Sequence, residues 1–248
     1  MNTSVSGQKI LTHEMSTTEH DKIIACLSKF TTENRVSAFE ATLANRTRDA
    51  CLVLEHVANA HNASAVLRSA EAFGLFEIHV VPQPEGRFAL SRNVASGANK
   101  WLDLHWHEET EACFKGLKAR GYEIWASDLQ ADTVPIDEID VRKKIAMVFG
   151  NEREGISEIA RKHADRRFVV PMQGFVESLN ISVAAAVSCY HVSQKRSALS
   201  CPTGLKHADQ RAILALWLAQ SVRASEEILR REGLNIPVNY DQKLRFVE

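Results

Sequence analysis

The residues best suited to chemistry stand in three short stretches. In Asn59-Ala60-His61-Asn62-Ala63-Ser64-Ala65-Val66-Leu67-Arg68, the odd member is Arg68. Its permanently charged, forked guanidinium falls among small apolar residues, where it needs a carboxylate or a phosphate. A structural salt bridge and an anionic substrate would each meet that need, while Asn62 suits the N-cap of the helix. In Phe149-Gly150-Asn151-Glu152-Arg153-Glu154-Gly155, two glycines bracket polar residues. Gly150 lets a ligand approach the backbone, and Glu152 stands where an active-site carboxylate belongs. In Phe168-Val169-Val170-Pro171-Met172-Gln173-Gly174-Phe175-Val176-Glu177-Ser178-Leu179-Asn180, three polar side chains, Glu177, Ser178 and Asn180, precede an apolar helix. They are caps or a site. His61 has no second His or Cys at metal-site spacing, so no metal is expected. Neither a Walker loop nor GxGxxG is present, which removes the usual support for ATP or Rossmann NAD binding.

The elements that must position these residues alternate. Cys51 to Val57 reads as a strand, Asn62 to Phe73 as a helix closed by Gly74, and Phe76 to Val81 as a strand closed by Pro82. Trp101 to Trp106, Tyr122 to Ala126, Lys144 to Phe149 and the run before Pro171 read as further strands. Glu108 to Arg120 and Ile156 to Ala164 read as helices, and a small-residue helix begins at Ile181 and must pack closely on a neighbour. The fold class is therefore α/β: a mostly parallel sheet with helices on both faces. Ligands in such folds gather at the carboxyl ends of strands, which selects the loops after Val57, Ala126, Phe149 and Val170. Around this central domain, residues 49–197, the expected organisation is a polar tail over 1–20 and a helical extension over 21–48. A second helical extension covers 198–248, with an apolar face at Ile213, Leu214, Leu216, Trp217 and Leu218 and a basic one at Arg223, Arg230 and Arg231.

With 248 residues, 45% of them hydrophobic, the chain can bury one substantial core. A formal net charge of -1 gives no global signature for nucleic acid or membrane, so any basic surface must be local. Five cysteines without a CxxC pair suit reduced thiols. No apolar run approaches the length of a membrane span, and the first residues lack signal-peptide order, so a soluble cytoplasmic protein is expected.

Taken together, the three stretches resemble in order and spacing the motifs of the SpoU/TrmH branch of the SPOUT RNA methyltransferases. Asn62 to Arg68 with Gly74, Phe149 to Glu152 with Gly155-Ile156-Ser157, and Val170-Pro171-Met172 with Gly174 and Ser178 to Ala184 carry the resemblance, which spans roughly residues 35–238. It implies a C-terminal deep trefoil knot. It further implies S-adenosylmethionine held through the main chain at Ser127, Gly150, Val170 and Leu179, and methylation of a ribose 2'-hydroxyl in tRNA, a D-loop guanosine. Ribosomal RNA methylation and a non-catalytic knotted RNA-binding role are the alternatives. Arg68 would take the central catalytic role, as a base activated by an RNA phosphate or as the group that positions that phosphate. Asn62 and Asn180 would orient it or the substrate, Ser178 would hydrogen-bond nearby, and Glu152 would fix the loop or the arginine. A homodimer through the knot region is implied, with no membrane or DNA partner. Arg46, Arg48, Lys100, Lys195 and Arg196 are the phosphate-contacting candidates.

Overall fold

The computed structural model describes residues 15–83, 97–130 and 132–235. In chain order these form α1 (Thr17–Leu27), α2 (Glu33–Ala44), β1 (Ala50–Glu55), α3 (Ala60–Ala72), β2 (Glu77–Val81), β3 (Asp103–Trp106), α4 (Thr110–Ala119), β4 (Tyr122–Ser127), β5 (Val134–Pro135), β6 (Lys144–Phe149), α5 (Glu158–His163), β7 (Arg166–Val169), α6 (Ile181–Ala198), α7 (His207–Ser221) and α8 (Ser225–Arg231). The described parts of Met1–Arg46 and Gly204–Phe246 make one compact unit, and Thr47–Thr203 makes another.

The larger unit is built on a seven-stranded sheet in the order β3-β2-β1-β6-β4-β7-β5. Every pairing is parallel. β1 is buried along its whole length and β6 everywhere but Lys144, as expected of central strands covered on both faces. Cys51 and Val53, Ile124 and Ala126, and Ala146 and Val148 point to one face. There they form a core with Cys113, Phe114 and Leu117 of α4 and Ala160 of α5. α3 packs on α6, where the Phe73 and Tyr190 rings meet edge to face at 5.6 Å. The chain leaves β1 towards β2 on one side, while β6 adjoins β4 on the other. The carboxyl ends of β1 and β6 therefore flank the topological switch point at which ligands bind in such sheets.

Several expectations need correction. The small-residue helix α6 packs closely on one side only: Ala185, Ser188, Cys189, Val192 and Arg196 are covered, whereas Val183, Val187 and Tyr190 are exposed. A run of Ala, Val and Ser has almost the same composition on every face, so periodicity could not tell the covered side from the open one. Residues 198–203 belong with the sheet, because the Thr203 carbonyl accepts from the Arg48 N–H at 2.9 Å and from Thr47 Oγ1 at 2.9 Å.

In the helical unit, α7 packs against α1, α2 and α8. Ser16 caps α1 through a reciprocal pair with Glu19, so residues 15–20 are helix and cap rather than tail. The remainder of the expected tail, residues 1–14, lies outside the described residues. The C-terminal helical region breaks into α7 and α8 at Ala224, which sits at φ 56°. No helix among the described residues is long and apolar enough to cross a membrane.

Candidate active site

The carboxyl ends of β1 and β6 are tied together by one carboxylate. Glu152 accepts from the backbone N–H groups of Ala58 (3.1 Å) and Asn59 (3.2 Å) and from Asn62 Nδ2 (2.9 Å). Asn62 Oδ1 in turn accepts from Asn180 Nδ2 at 3.2 Å. A hydrogen-bonded chain thus runs from the β6 loop through the first turn of α3 to the N-terminus of α6. Asn180 caps α6 with its Oδ1, which also accepts from Ser182 Oγ at 2.6 Å.

Burial pushes the Glu152 carboxyl up, but the hydrogen bonds from Asn62 and from the Ala58 and Asn59 amides outweigh it and hold the group below the usual carboxylate range. Glu152 is therefore an ionised acceptor and a weak base. Because its folded value is depressed, the stability it contributes is complete above the ordinary carboxylate range and is lost as pH falls through the folded value. Glu152→Gln should accordingly melt below the wild type at neutral pH. The gap should close only in acid, when both melting curves are followed from pH 7 to pH 3.

The loop that carries Glu152 is tightly closed. Asn151 and Gly155 exchange two backbone hydrogen bonds, of 2.7 and 2.9 Å, and Gly155 sits at φ 71°. Asn151 Oδ1 accepts from the Arg153 and Glu154 amides, and its Nδ2 donates to the His56 carbonyl at 2.9 Å. His56 itself holds φ 55°, so this bond fixes a strained residue at the end of β1. A Cβ on Gly150 would lie 2.3 Å from the Gly155 carbonyl carbon and 2.4 Å from the Ile156 nitrogen, so only glycine fits.

The expected cofactor positions follow neighbouring strands on the same sheet end: Ser127 ends β4, Gly150 follows β6 and Val170 follows β7. Leu179, half-buried, precedes the α6 cap. Among the described residues, the backbone of 171–179 makes no hydrogen bond within the protein, which leaves its N–H and C=O groups open to a ligand. Asp128, beside Ser127, is buried and pairs with Arg161 Nε at 3.1 Å and Arg167 at 3.5 Å, fixing the end of β4.

Arg68 and Ser178 are not drawn into the network. Arg68 is exposed and makes no hydrogen bond or ion pair among the described residues, so the salt-bridge reading falls away. It lies six positions beyond Asn62, about 9 Å along the helix axis and about 120° round it. Ser178 is exposed and makes no hydrogen bond among the described residues; it does not cap α6. Nor does Asn62 cap α3. Asn59 does, accepting from the His61 N–H at 2.8 Å, because the helix starts a turn earlier than expected and frees the Asn62 side chain for Glu152. Asn59, Asn151 and Asp128 were missed. Asn59 is an Asn three residues before another, and nothing local says which of the two caps.

Residues 49–190 match the SpoU rRNA Methylase family. The chain belongs to that family. The tRNA (guanosine(18)-2'-O)-methyltransferase of Thermus thermophilus is 38% identical over 165 residues, covering 66% of this chain and 84% of that protein. The enzyme of the same name from Borreliella burgdorferi is 31% identical over 202 residues, covering 82% and 92%. The crystal structure of the Aquifex aeolicus TrmH/SpoU tRNA modifying enzyme superposes with a TM-score of 0.71 at 27% identity, covering 77% of this chain and 98% of that one. The parallel sheet flanked by helices is consistent with the α/β knot architecture of this family.

Most of the basic residues expected to meet RNA are spent inside the protein. Arg46 is 1% exposed and lies 5.8 Å from the Trp217 ring in the helical unit. Arg48 pairs with Glu77 at 3.2 Å and Asp103 at 2.9 Å and covers the Phe76 ring. Lys195 donates to the carbonyls of Asp137 and Ile139, and buried Arg196 to the Val141 carbonyl at 2.6 Å. Each is held by groups that its sequence neighbours do not reveal. Lys100 alone of the five is exposed.

Proposed function

We propose that this chain transfers the methyl group of S-adenosylmethionine to the ribose 2'-hydroxyl of a D-loop guanosine in tRNA. The observation that carries this reading is the Glu152–Asn62–Asn180 chain at the switch point. It holds three loops in one geometry beside the strand ends where the cofactor would sit. The printed names of the Thermus and Borreliella relatives supply the substrate class.

The donor set suits this cofactor. Ser127, Gly150, Val170 and Leu179 are small or apolar, and the backbone groups of 171–179 are free to read a ligand through the main chain. S-adenosylmethionine, when bound, supplies a methyl group on a sulfonium. The protein's task is to bring the 2'-oxygen in line with that methyl, so that the new C–O bond would form as the C–S bond breaks, and to let the hydroxyl proton pass to solvent. Glu152 is too weak a base for that proton. Asn180 and Asn62 are held rigidly enough to orient the ribose. Arg68, an exposed permanent cation, binds the adjoining RNA phosphate and stabilises charge developing on the 2'-oxygen.

The active form is a homodimer through α6. Val183, Val187 and Tyr190 form one exposed apolar stripe, and Phe175 and Val176 are exposed just before it. Val187→Asp should convert a dimer into a monomer in sedimentation velocity; an unchanged sedimentation coefficient would remove α6 from the interface.

The function is tested by incubating the protein with labelled S-adenosylmethionine and unmodified tRNA or ribosomal RNA transcripts. Label should enter tRNA alone. Label in ribosomal RNA alone would move the substrate class, and label in neither would withdraw the activity.

A further inference from the structure

Away from the active site, at the β2–β3 edge of the sheet, three metal-ligating side chains converge. His79 is 2% exposed, Cys113 of α4 is fully buried and His107 is half-buried. His79 Nδ1 lies 2.8 Å from His107 Nε2, and the ligand atoms of all three residues lie within 4.8 Å of one another. Sheet pairing brings them together: the His107 N–H donates to the Val80 carbonyl at 2.9 Å, which sets its ring beside that of His79. Sequence spacing concealed the group, since β2 and β3 lie far apart in the chain, and the expectation of no metal rested on spacing alone.

The other nitrogen of His79 distinguishes this trio from an ordinary buried pair. His79 Nε2 lies 2.8 Å from Oε1 of Glu77, a fully buried carboxylate. With the proton on Nε2, His79 donates to Glu77 and leaves the Nδ1 lone pair facing His107, with Cys113 close by. This is the carboxylate–histidine arrangement that orients metal-bound imidazoles and raises their basicity. We propose that His79 Nδ1, His107 Nε2 and Cys113 Sγ form a zinc site that clips α4 to the sheet edge, with water completing the tetrahedron.

Two imidazoles and a thiolate suit zinc and disfavour magnesium and calcium. Tetrahedral zinc needs the two histidine nitrogens about 3.3 Å apart. That is a small opening from the 2.8 Å hydrogen bond, which half-buried His107 can supply. On binding, the His107 proton moves from Nε2 to Nδ1 and the Cys113 thiol proton leaves to solvent. Two N–Zn bonds and one S–Zn bond form, with no change of oxidation state. A neighbouring trio, Glu77, Asp103 and His105, is also close enough for a metal. Its carboxylates, however, already bind the guanidinium groups of Arg48 and Arg120, which a cation would have to displace.

The test uses the full chain, stripped with a chelator and titrated with zinc against a chromophoric competitor, then with cobalt for its spectrum. One zinc per chain should bind. The cobalt form should show a thiolate charge-transfer band that disappears in Cys113→Ser. His107→Gln, at a half-buried position and checked for folding by circular dichroism, should weaken zinc binding at least about tenfold. His207→Gln, on an exposed surface, should leave it unchanged. Zinc binding equally tight in His107→Gln, a cobalt spectrum without the thiolate band, or no binding by the wild-type chain would each overturn the site.

Discussion

Arg68→Ala should lower kcat for tRNA methylation by about 10²–10³-fold, while the Kd for S-adenosylmethionine changes less than about twofold. The separation follows from placement. Arg68 is exposed on α3 and shares no hydrogen bond with the Glu152–Asn62–Asn180 chain, so its loss disturbs neither the loops nor the cofactor positions. Its removal takes away the one motif cation that would meet the phosphate and the developing negative charge. Arg68→Lys keeps the charge but not the fork, and should recover only part of the rate. Stopped-flow single-turnover measurements isolate the chemical step, and near-normal turnover by Arg68→Ala would remove this residue from the mechanism.

Gly150→Ala should be the most disruptive single methyl group in the site. The added carbon would lie 2.3 Å from backbone atoms of Gly155 and 2.4 Å from the Ile156 nitrogen, where no flexible side chain can give way. The Asn151–Gly155 closure must open, and Glu152 then loses its reach to Asn62. A cost of about 3 kcal/mol is expected, equivalent to roughly 6–12 °C in Tm, together with loss of S-adenosylmethionine binding. Gly174→Ala is the matched control: a Cβ there meets nothing within 4 Å and the backbone is not left-handed, so its Tm should stay at the wild-type value. Calorimetric melting of the two variants checks both halves, and a Gly150→Ala protein as stable as Gly174→Ala would refute the steric account.

What could be read from the sequence was what local pattern controls. β1 and β6 announce themselves because strands buried on both faces are continuously apolar, and the placing of polar loops at their ends follows from parallel topology. The chemistry-bearing types at Asn62, Glu152 and Asn180 stood out for the same reason. Their mutual geometry did not, since Asn62 looked like a cap until Asn59 took that role. Long-range pairing was invisible. Arg48 and Arg196 read as surface cations because their partners, Glu77, Asp103 and Asp49, come from other strands and loops. The His79–His107–Cys113 group was hidden by the same cause. Ser178 carries a motif position, yet no hydrogen bond among the described residues draws its hydroxyl in.

The central claim, ribose methylation of a tRNA guanosine, is met most directly by identifying the product. Undermodified tRNA treated with the protein and S-adenosylmethionine, cut by ribonuclease to oligonucleotides and mapped by mass spectrometry, should yield 2'-O-methylguanosine in the D-loop, formed about 10²–10³-fold more slowly by Arg68→Ala. A methyl group on a base, or on a ribose outside the D-loop, would contradict the account.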